Sequence, residues 1–122
     1  GKEIAFPWCD DFDQTKLWCS VREMGDANGT APVVRSNRIH VNALGLSDLS
    51  GNVDQWCQDR FDLYPSGTVT DPQGPPSGEF RCQRSGGWLE TGVRDFLSVR
   101  RDYESPAERS HACGFRLSAG PA

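Results

Sequence analysis

Residues 44–57, Leu-Gly-Leu-Ser-Asp-Leu-Ser-Gly-Asn-Val-Asp-Gln-Trp-Cys, put four oxygen donors on one tight loop: the Asp48 carboxylate, the Gly51 and Val53 carbonyls and the Gln55 amide. A hard cation such as calcium needs several oxygens, some from backbone, converging where a glycine lets the chain bend sharply. Asp48, Gly51, Val53 and Gln55 are therefore the candidate metal ligands. The competing arrangement is a metal-free loop held by hydrogen bonds from Asn52 and Asp48. Other chemistry is thinner. His111 stands two residues before Cys113, a spacing that strand alternation would place on one face, as a thiol–imidazole pair requires. A hydrogen-bonded surface histidine is the commoner outcome, and no catalytic residue is assigned. Glu90 with Asp95, and Asp102 with Glu104, are carboxylate pairs that acid–base work could use, although solvated loop carboxylates are the default. Zinc spacings, phosphate loops and nucleotide motifs are absent from the sequence.

The elements that must position these groups are short. Residues 51–64 read as a strand followed by an aromatic cluster of Trp56, Phe61 and Tyr64. Residues 79–84 and 113–117 read as further strands. Residues 33–46 alternate loosely towards the Gly45 turn, as a short strand would. Residues 95–101 read either as a strand or as a helical turn running on from Val93. The stretch 65–78, Pro-Ser-Gly-Thr-Val-Thr-Asp-Pro-Gln-Gly-Pro-Pro-Ser-Gly, is a connector rich in turn-formers with core segments on both sides.

With 122 residues, 13 Gly and 8 Pro, the chain describes one loop-rich domain with a single modest core. No run approaches the roughly 18 apolar residues of a membrane span, and a net charge of −4 disfavours nucleic acid. The charge is uneven: residues 1–79 carry 6 basic and 12 acidic side chains, residues 80–122 carry 7 and 5. Eleven of the basic residues are arginines, which suit structural hydrogen bonds to carbonyls and carboxylates in a loop-rich fold. Five cysteines leave at least one unpaired. Cys9 and Cys19 flank a short loop that a disulfide could close, which would favour an extracellular or cell-surface setting; in the cytosol all five would be reduced. Cys57 reads as a buried free thiol.

The 44–57 stretch resembles the Gly-Leu-x-Asp-hydrophobic-x-Gly-Asn-Val-x-Glu-Trp signature of the formylglycine-generating-enzyme (sulfatase-modifying-factor) family, which is built on a C-type-lectin-like fold. A second, ordered match follows: Arg84-Ser85-Gly86-Gly87-Trp88, Arg100-Arg101, Ser105-Pro106, Arg109, and Gly114-Phe115-Arg116-Leu117. Phe6-Pro7-Trp8 and Thr30-Ala31-Pro32-Val33 are similar to two earlier family segments, with Cys9 at the usual glycine. The resemblance implies an α+β, loop-rich C-type-lectin-like fold with short antiparallel strands. It covers essentially the whole chain but only the C-terminal half of the family's domain. Residues 1–122 are thus either one minimal lectin-like domain or the C-terminal half of a larger one. The resemblance also implies that Cys82 and Cys113 lie in one sheet, and that a glutamate usually closes the calcium loop, where Gln55 stands here.

The family's oxidase binds copper through two cysteines just after its Gly-Gly-Ser-aromatic turn. Soft thiolates suit Cu(I), whereas carboxylates are hard ligands. Here residues 88–97, Trp-Leu-Glu-Thr-Gly-Val-Arg-Asp-Phe-Leu, contain no cysteine, and none occurs between Cys82 and Cys113. Copper is therefore not expected and calcium remains the cofactor to look for. The expectation is a non-catalytic binding module that presents Trp88, Glu90, Thr91, Arg94, Asp95, Tyr103, Glu104, Ser110 and His111 to a protein or other macromolecular ligand. In this it resembles the variable proteins of diversity-generating retroelements, which share the fold. The alternative is an oxidase of the formylglycine-generating type, or a fragment of one, that oxidises a substrate cysteine. The large residues expected to cover the sheet are Trp56, Phe61, Trp88, Phe96 and Phe115. With half a domain absent, the sheet must also be covered by a second chain, by self-association, or by the 1–33 loop tied through Cys9 and Cys19.

Overall fold

A computed structural model describes residues 4–19, 29–32 and 41–118. Strands β1 (Asp54–Arg60), β2 (Arg81–Arg84), β3 (Asp102–Glu104) and β4 (Cys113–Phe115) form one sheet in the order β3-β2-β1-β4. The β1/β2 and β2/β3 pairs are antiparallel, whereas β4 joins β1 in parallel. The sheet is therefore mixed rather than wholly antiparallel. Two 3-10 turns, Gln14–Lys16 and Val93–Phe96, supply the helical content among the described residues. The first is started by Asp13, whose Oδ1 accepts from the Thr15 backbone N–H (2.9 Å) and hydroxyl (2.6 Å).

The Gly51-Asn52 turn is the hub of the fold. Both residues have left-handed backbones, φ 84° and 64°. A Cβ on Gly51 would lie 3.0 Å from the Trp18 nitrogen, so glycine is needed for contact as well as conformation. From this turn Gly51 N–H donates to Gly86 O (2.9 Å) and Asn52 N–H to Trp18 O (2.7 Å). In return Trp88 N–H donates to Asn52 O (2.9 Å), and Asp54 N–H reaches Ala112 O (2.8 Å). Three segments distant in sequence are held on one bend.

The core is built by the N-terminal segment. Phe6, Leu17, Cys19 and Phe96 are buried together, with Ala5, Trp8, Phe12 and Leu97 packed against them. Phe6 stacks on Trp8 at 5.5 Å, and Phe12 on Phe96 at 6.5 Å. Ser98 N–H donates to Ala5 O at 2.7 Å and Ser50 Oγ to Phe96 O at 2.9 Å, which fixes this cover onto the 93–98 segment.

Several expectations need correction. Of the five large residues expected to cover the sheet, only Phe96 is fully buried; Trp56, Phe61 and Trp88 are half-buried and Phe115 is 73% exposed. The N-terminal segment packs on the 93–98 segment, and no Cys9–Cys19 bridge holds it: Cys19 packs into the Phe6–Phe96 cluster, while Cys9 is exposed and its Sγ donates to Asp11 O at 3.4 Å. Cys82 and Cys113 share the sheet, yet alternation puts them on opposite faces. The 79–84 and 113–117 strands are present in shortened form. Residues 95–101 contain the helical turn rather than a strand. Residues 33–40 of the expected 33–46 strand lie outside the described residues, and Val41 makes an isolated bridge to Ser47.

Candidate functional site

Arg100 gathers three carboxylates from three segments. Its guanidinium lies 2.9 Å from Asp102 at the start of β3, 3.5 Å from Asp95 in the second 3-10 turn, and 3.6 Å from Glu90 beyond the Gly86-Gly87 turn. Asp95 is held from its other oxygen by Gly92 N–H at 3.0 Å. Gly86 makes this approach possible: its φ is 72°, and a Cβ there would fall 2.5 Å from Asp95 O, so any side chain would push the two turns apart.

A fourth carboxylate sits beneath. Burial raises the pKa of Asp54 to about 6; the charge of Glu90 adds to the shift, while Arg100 and the Gly86 N–H oppose it. Glu90 is raised as well, first by burial and then by Asp95, against the pull of Arg100. Asp54 Oδ1 and Trp88 Nε1 are both buried without a hydrogen-bond partner. The Trp88 ring lies 5.5 Å from His111, tilted at 50°. The site is thus a carboxylate-rich cleft around one guanidinium, edged by an indole and an imidazole. Desolvated carboxylates in excess of their cations favour a positively charged visitor.

The expected recognition residues divide between two places. Trp88, Glu90, Asp95 and His111 contribute to this cleft, and Thr91, Arg94 and Ser110 are exposed on the loops that form it. Ser110 uses its hydroxyl to accept from Ala112 N–H at 3.1 Å. Tyr103 and Glu104 are not brought together with them. Tyr103 stands on the other face of β3, its ring tilted against those of Phe61 (4.3 Å) and Phe80 (5.1 Å), and Glu104 caps Ser105 N–H at 2.9 Å. Asp54 and Arg100 escaped sequence reasoning, and Asp102, expected beside Glu104, pairs with Arg100 instead. Asp54 occupies the unspecified position of the Gly-Asn-Val-x signature, and Arg100 looked like any structural arginine; only its spacing of two from Asp102 hinted at the pairing. His111 and Cys113 do not form a nucleophilic pair: the imidazole faces Trp88, while Cys113 Sγ receives Gln83 Nε2 at 3.2 Å. Burial and the charge of Asp54 push the Cys113 thiol up, away from thiolate.

Asp48, Gly51, Val53 and Gln55 line one cavity of about 230 Å3, together with Arg116. Gln55 Nε2 donates to Asp48 O (2.8 Å) and Ser85 Oγ (3.3 Å), and its Oε1 accepts from Arg116 Nε (3.2 Å). Arg116 also donates to the carbonyls of Ser47 and Asp48. The four residues share this cavity, but their charge suits a cation weakly. They bring one carboxylate, and the oxygen that would close the site faces a guanidinium.

The chain matches the sulfatase-modifying factor enzyme 1-like domain over residues 1–119. It is 33% identical to a formylglycine-generating enzyme of Thermomonospora curvata over 98% of this chain and 44% of that protein. With the formylglycine-generating enzyme of Bos taurus the identity is 30%, over 98% of this chain and 30% of the relative. A serine/threonine-protein kinase of Chlamydia trachomatis is 38% identical over 62% of this chain and 13% of its own length. The chain thus spans less than half of the relatives it matches. Among solved structures, Treponema denticola variable protein 1 superposes with a TM-score of 0.79 at 25% identity, covering 94% of this chain and 40% of that one. The fold is accordingly α+β and C-type-lectin-like, and the chain belongs to the sulfatase-modifying factor enzyme 1-like domain family.

Proposed function

We propose that this chain is a non-catalytic binding module whose 88–112 face, centred on Arg100, recognises a protein or other macromolecular ligand that presents a basic group. The observation that carries this reading is the replacement of thiols by carboxylates: after the Gly86-Gly87-Trp88 turn, Glu90 and Asp95 converge on Arg100. Their hard oxygens are already engaged by a guanidinium, and neither can serve as a soft ligand for Cu(I). Likeness to a variable protein supports a scaffold that tolerates exchange of these loop residues; a near-identical copy of the 80–117 coding region beside a reverse transcriptase gene would extend that likeness to this chain. Purified protein supplied with Cu(I) and a Cys-x-Pro-x-Arg peptide is expected to retain the peptide while forming no aldehyde. Aldehyde detected by mass spectrometry would refute the non-catalytic reading.

The same proposal assigns a low-affinity calcium site to Asp48, Gly51, Val53 and Gln55. Calcium would neutralise the Asp48 charge and fasten the Gly51 bend, on which β1 depends. Gln55→Glu adds the missing carboxylate and gives Arg116 a counter-charge, so calcium binding should tighten and the melting temperature in millimolar calcium should rise. Identical melting curves for both proteins with calcium and with EDTA would remove metal from this loop.

A further inference from the structure

A second cavity, of about 560 Å3, is lined by Tyr64, by Pro72 of the connector, and by Cys57, Cys82, Arg84 and Arg101. Strand alternation turns Cys57 away from Asp54 and Trp56, so this cavity lies on the opposite face of the sheet from the Arg100 cleft. Its two thiols come from neighbouring strands. Gln55 pairs with Arg84 and Trp56 with Gln83, and the register then shifts before Arg60 meets Arg81, so residues 57–59 bulge across from Cys82 alone. Cys57 lies close enough to Cys82 for the charge of one thiol to bear on the other, and both line the same cavity. Both residues are free thiols.

The two thiols differ in their surroundings. Arg101 Nη2 donates to Cys82 Sγ at 3.2 Å. Arg101 is itself fixed over the Tyr64 ring at 4.3 Å and the Phe61 ring at 5.0 Å. Cys57 is half-buried, while Cys82 is 3% exposed. Burial, with the nearby Cys82 and Asp59, holds the Cys57 thiol up, and Arg84 and Arg101 draw it back. The other cysteines are placed elsewhere: Cys19 in the Phe6–Phe96 core, Cys113 on the opposite face, Cys9 on the exposed N-terminal turn.

We infer that Cys57 and Cys82 form a reversible dithiol–disulfide pair, open to small disulfides through this cavity and separate from the 88–112 face. In the forward step one cysteine, as thiolate, attacks a sulfur of the small disulfide; that S–S bond breaks, one small thiolate leaves and a mixed disulfide remains. The other cysteine, deprotonated to solvent, attacks the protein sulfur of the mixed disulfide, forming the Cys57–Cys82 bond and expelling the second small thiolate. The two cysteines lose two electrons, the small disulfide gains them, and the protons end on the two small thiols. The reverse exchange needs only the reduced small thiol.

The full chain carrying Cys9→Ser and Cys113→Ser, which leaves the pair and the buried Cys19, is equilibrated with graded ratios of oxidised to reduced glutathione, alkylated and weighed. The expected result is joint loss of two alkylation sites with loss of two hydrogen masses, a linked 57–82 peptide after digestion, and full reversal by reduced glutathione. With Cys82→Ser added, no internal bond should form, and Cys57 should carry at most a glutathione adduct. Two independent glutathione adducts, a bond involving Cys19, or thiols that stay free at every ratio would each overturn the pair.

Discussion

Asp54 shows how a single residue can carry an electrostatic cost that its own sequence neighbourhood does not announce. A carboxylate after Gly-Asn-Val would ordinarily be solvated, but the Gly86-Gly87 turn and Ala112 close over it, and its Oδ1 is buried without a partner. Its pKa rises from 3.8 to about 6, so the folded state binds this proton more tightly than the unfolded chain. The sign follows: well below pH 3.8 Asp54 is neutral in both states and costs nothing, and the cost builds as pH rises from there to about 6, above which the fold must hold a half-buried charge. Asp54→Asn keeps the shape and an acceptor for Gly86 N–H while removing the charge. After allowance for partial exposure, it should stabilise the fold at neutral pH by about 1–2 kcal/mol. Well below pH 3.8 it should have almost no effect. Thermal melts of both proteins across this range test it; equal differences at every pH would mean that the carboxylate is not buried as charge.

At the level of elements, the readable parts were those whose signal is local. β1 and β2 follow from the Gly51-Asn52 bend and the Arg84–Trp88 turn, because left-handed positions select Gly and Asn whatever surrounds them. β3 was not legible: three residues, Asp-Tyr-Glu, have no room for alternation, and they are a strand only because Cys82 and Gln83 lie beside them. The same limit hid half of the cleft, since Arg100 and Asp102 acquire their role from the sheet that brings β3 beside β2. The core was misread for a related reason. Counting aromatics pointed to the strands, whereas the buried cluster rests on Phe6, Leu17 and Phe96 from two loops. Asn52 is the link between these layers. It is 5% exposed; its Oδ1 accepts from Ala31 N–H at 2.8 Å and its Nδ2 donates to Ala31 O at 3.2 Å. Asn52→Ala strands both Ala31 groups and puts a Cβ-only side chain at φ 64°, so the expected loss is about 2–4 kcal/mol. Asn52→Asp, which keeps the acceptor, should cost less. Denaturant titration ranks the two, and equal losses would show that the backbone conformation dominates over the hydrogen bonds.

On the scale of the whole molecule, the N-terminal segment packs on the 93–98 segment, and β4 forms one edge of the sheet. β4 pairs only with β1 among the described strands, and the residues that end the sheet there are apolar: Phe115 is 73% exposed and Leu117 is 86% exposed. An unpaired edge strand flanked by large apolar side chains is a template for a second chain. No disulfide joins Cys9 to Cys19, and among the described residues the N-terminal segment is held by packing around Phe96. Two expectations about the isolated chain follow. Sedimentation velocity should show association that grows with concentration, and reductant should leave it unchanged because no disulfide fixes the cover. Phe115→Lys with Leu117→Lys places charge along the β4 edge without entering the core, and should return the chain to monomer while preserving its thermal transition. A wild-type chain that stays monomeric at high micromolar concentration would show that the β4 edge is not used for self-pairing, whereas association that disappears on reduction would place the contact at a cysteine instead.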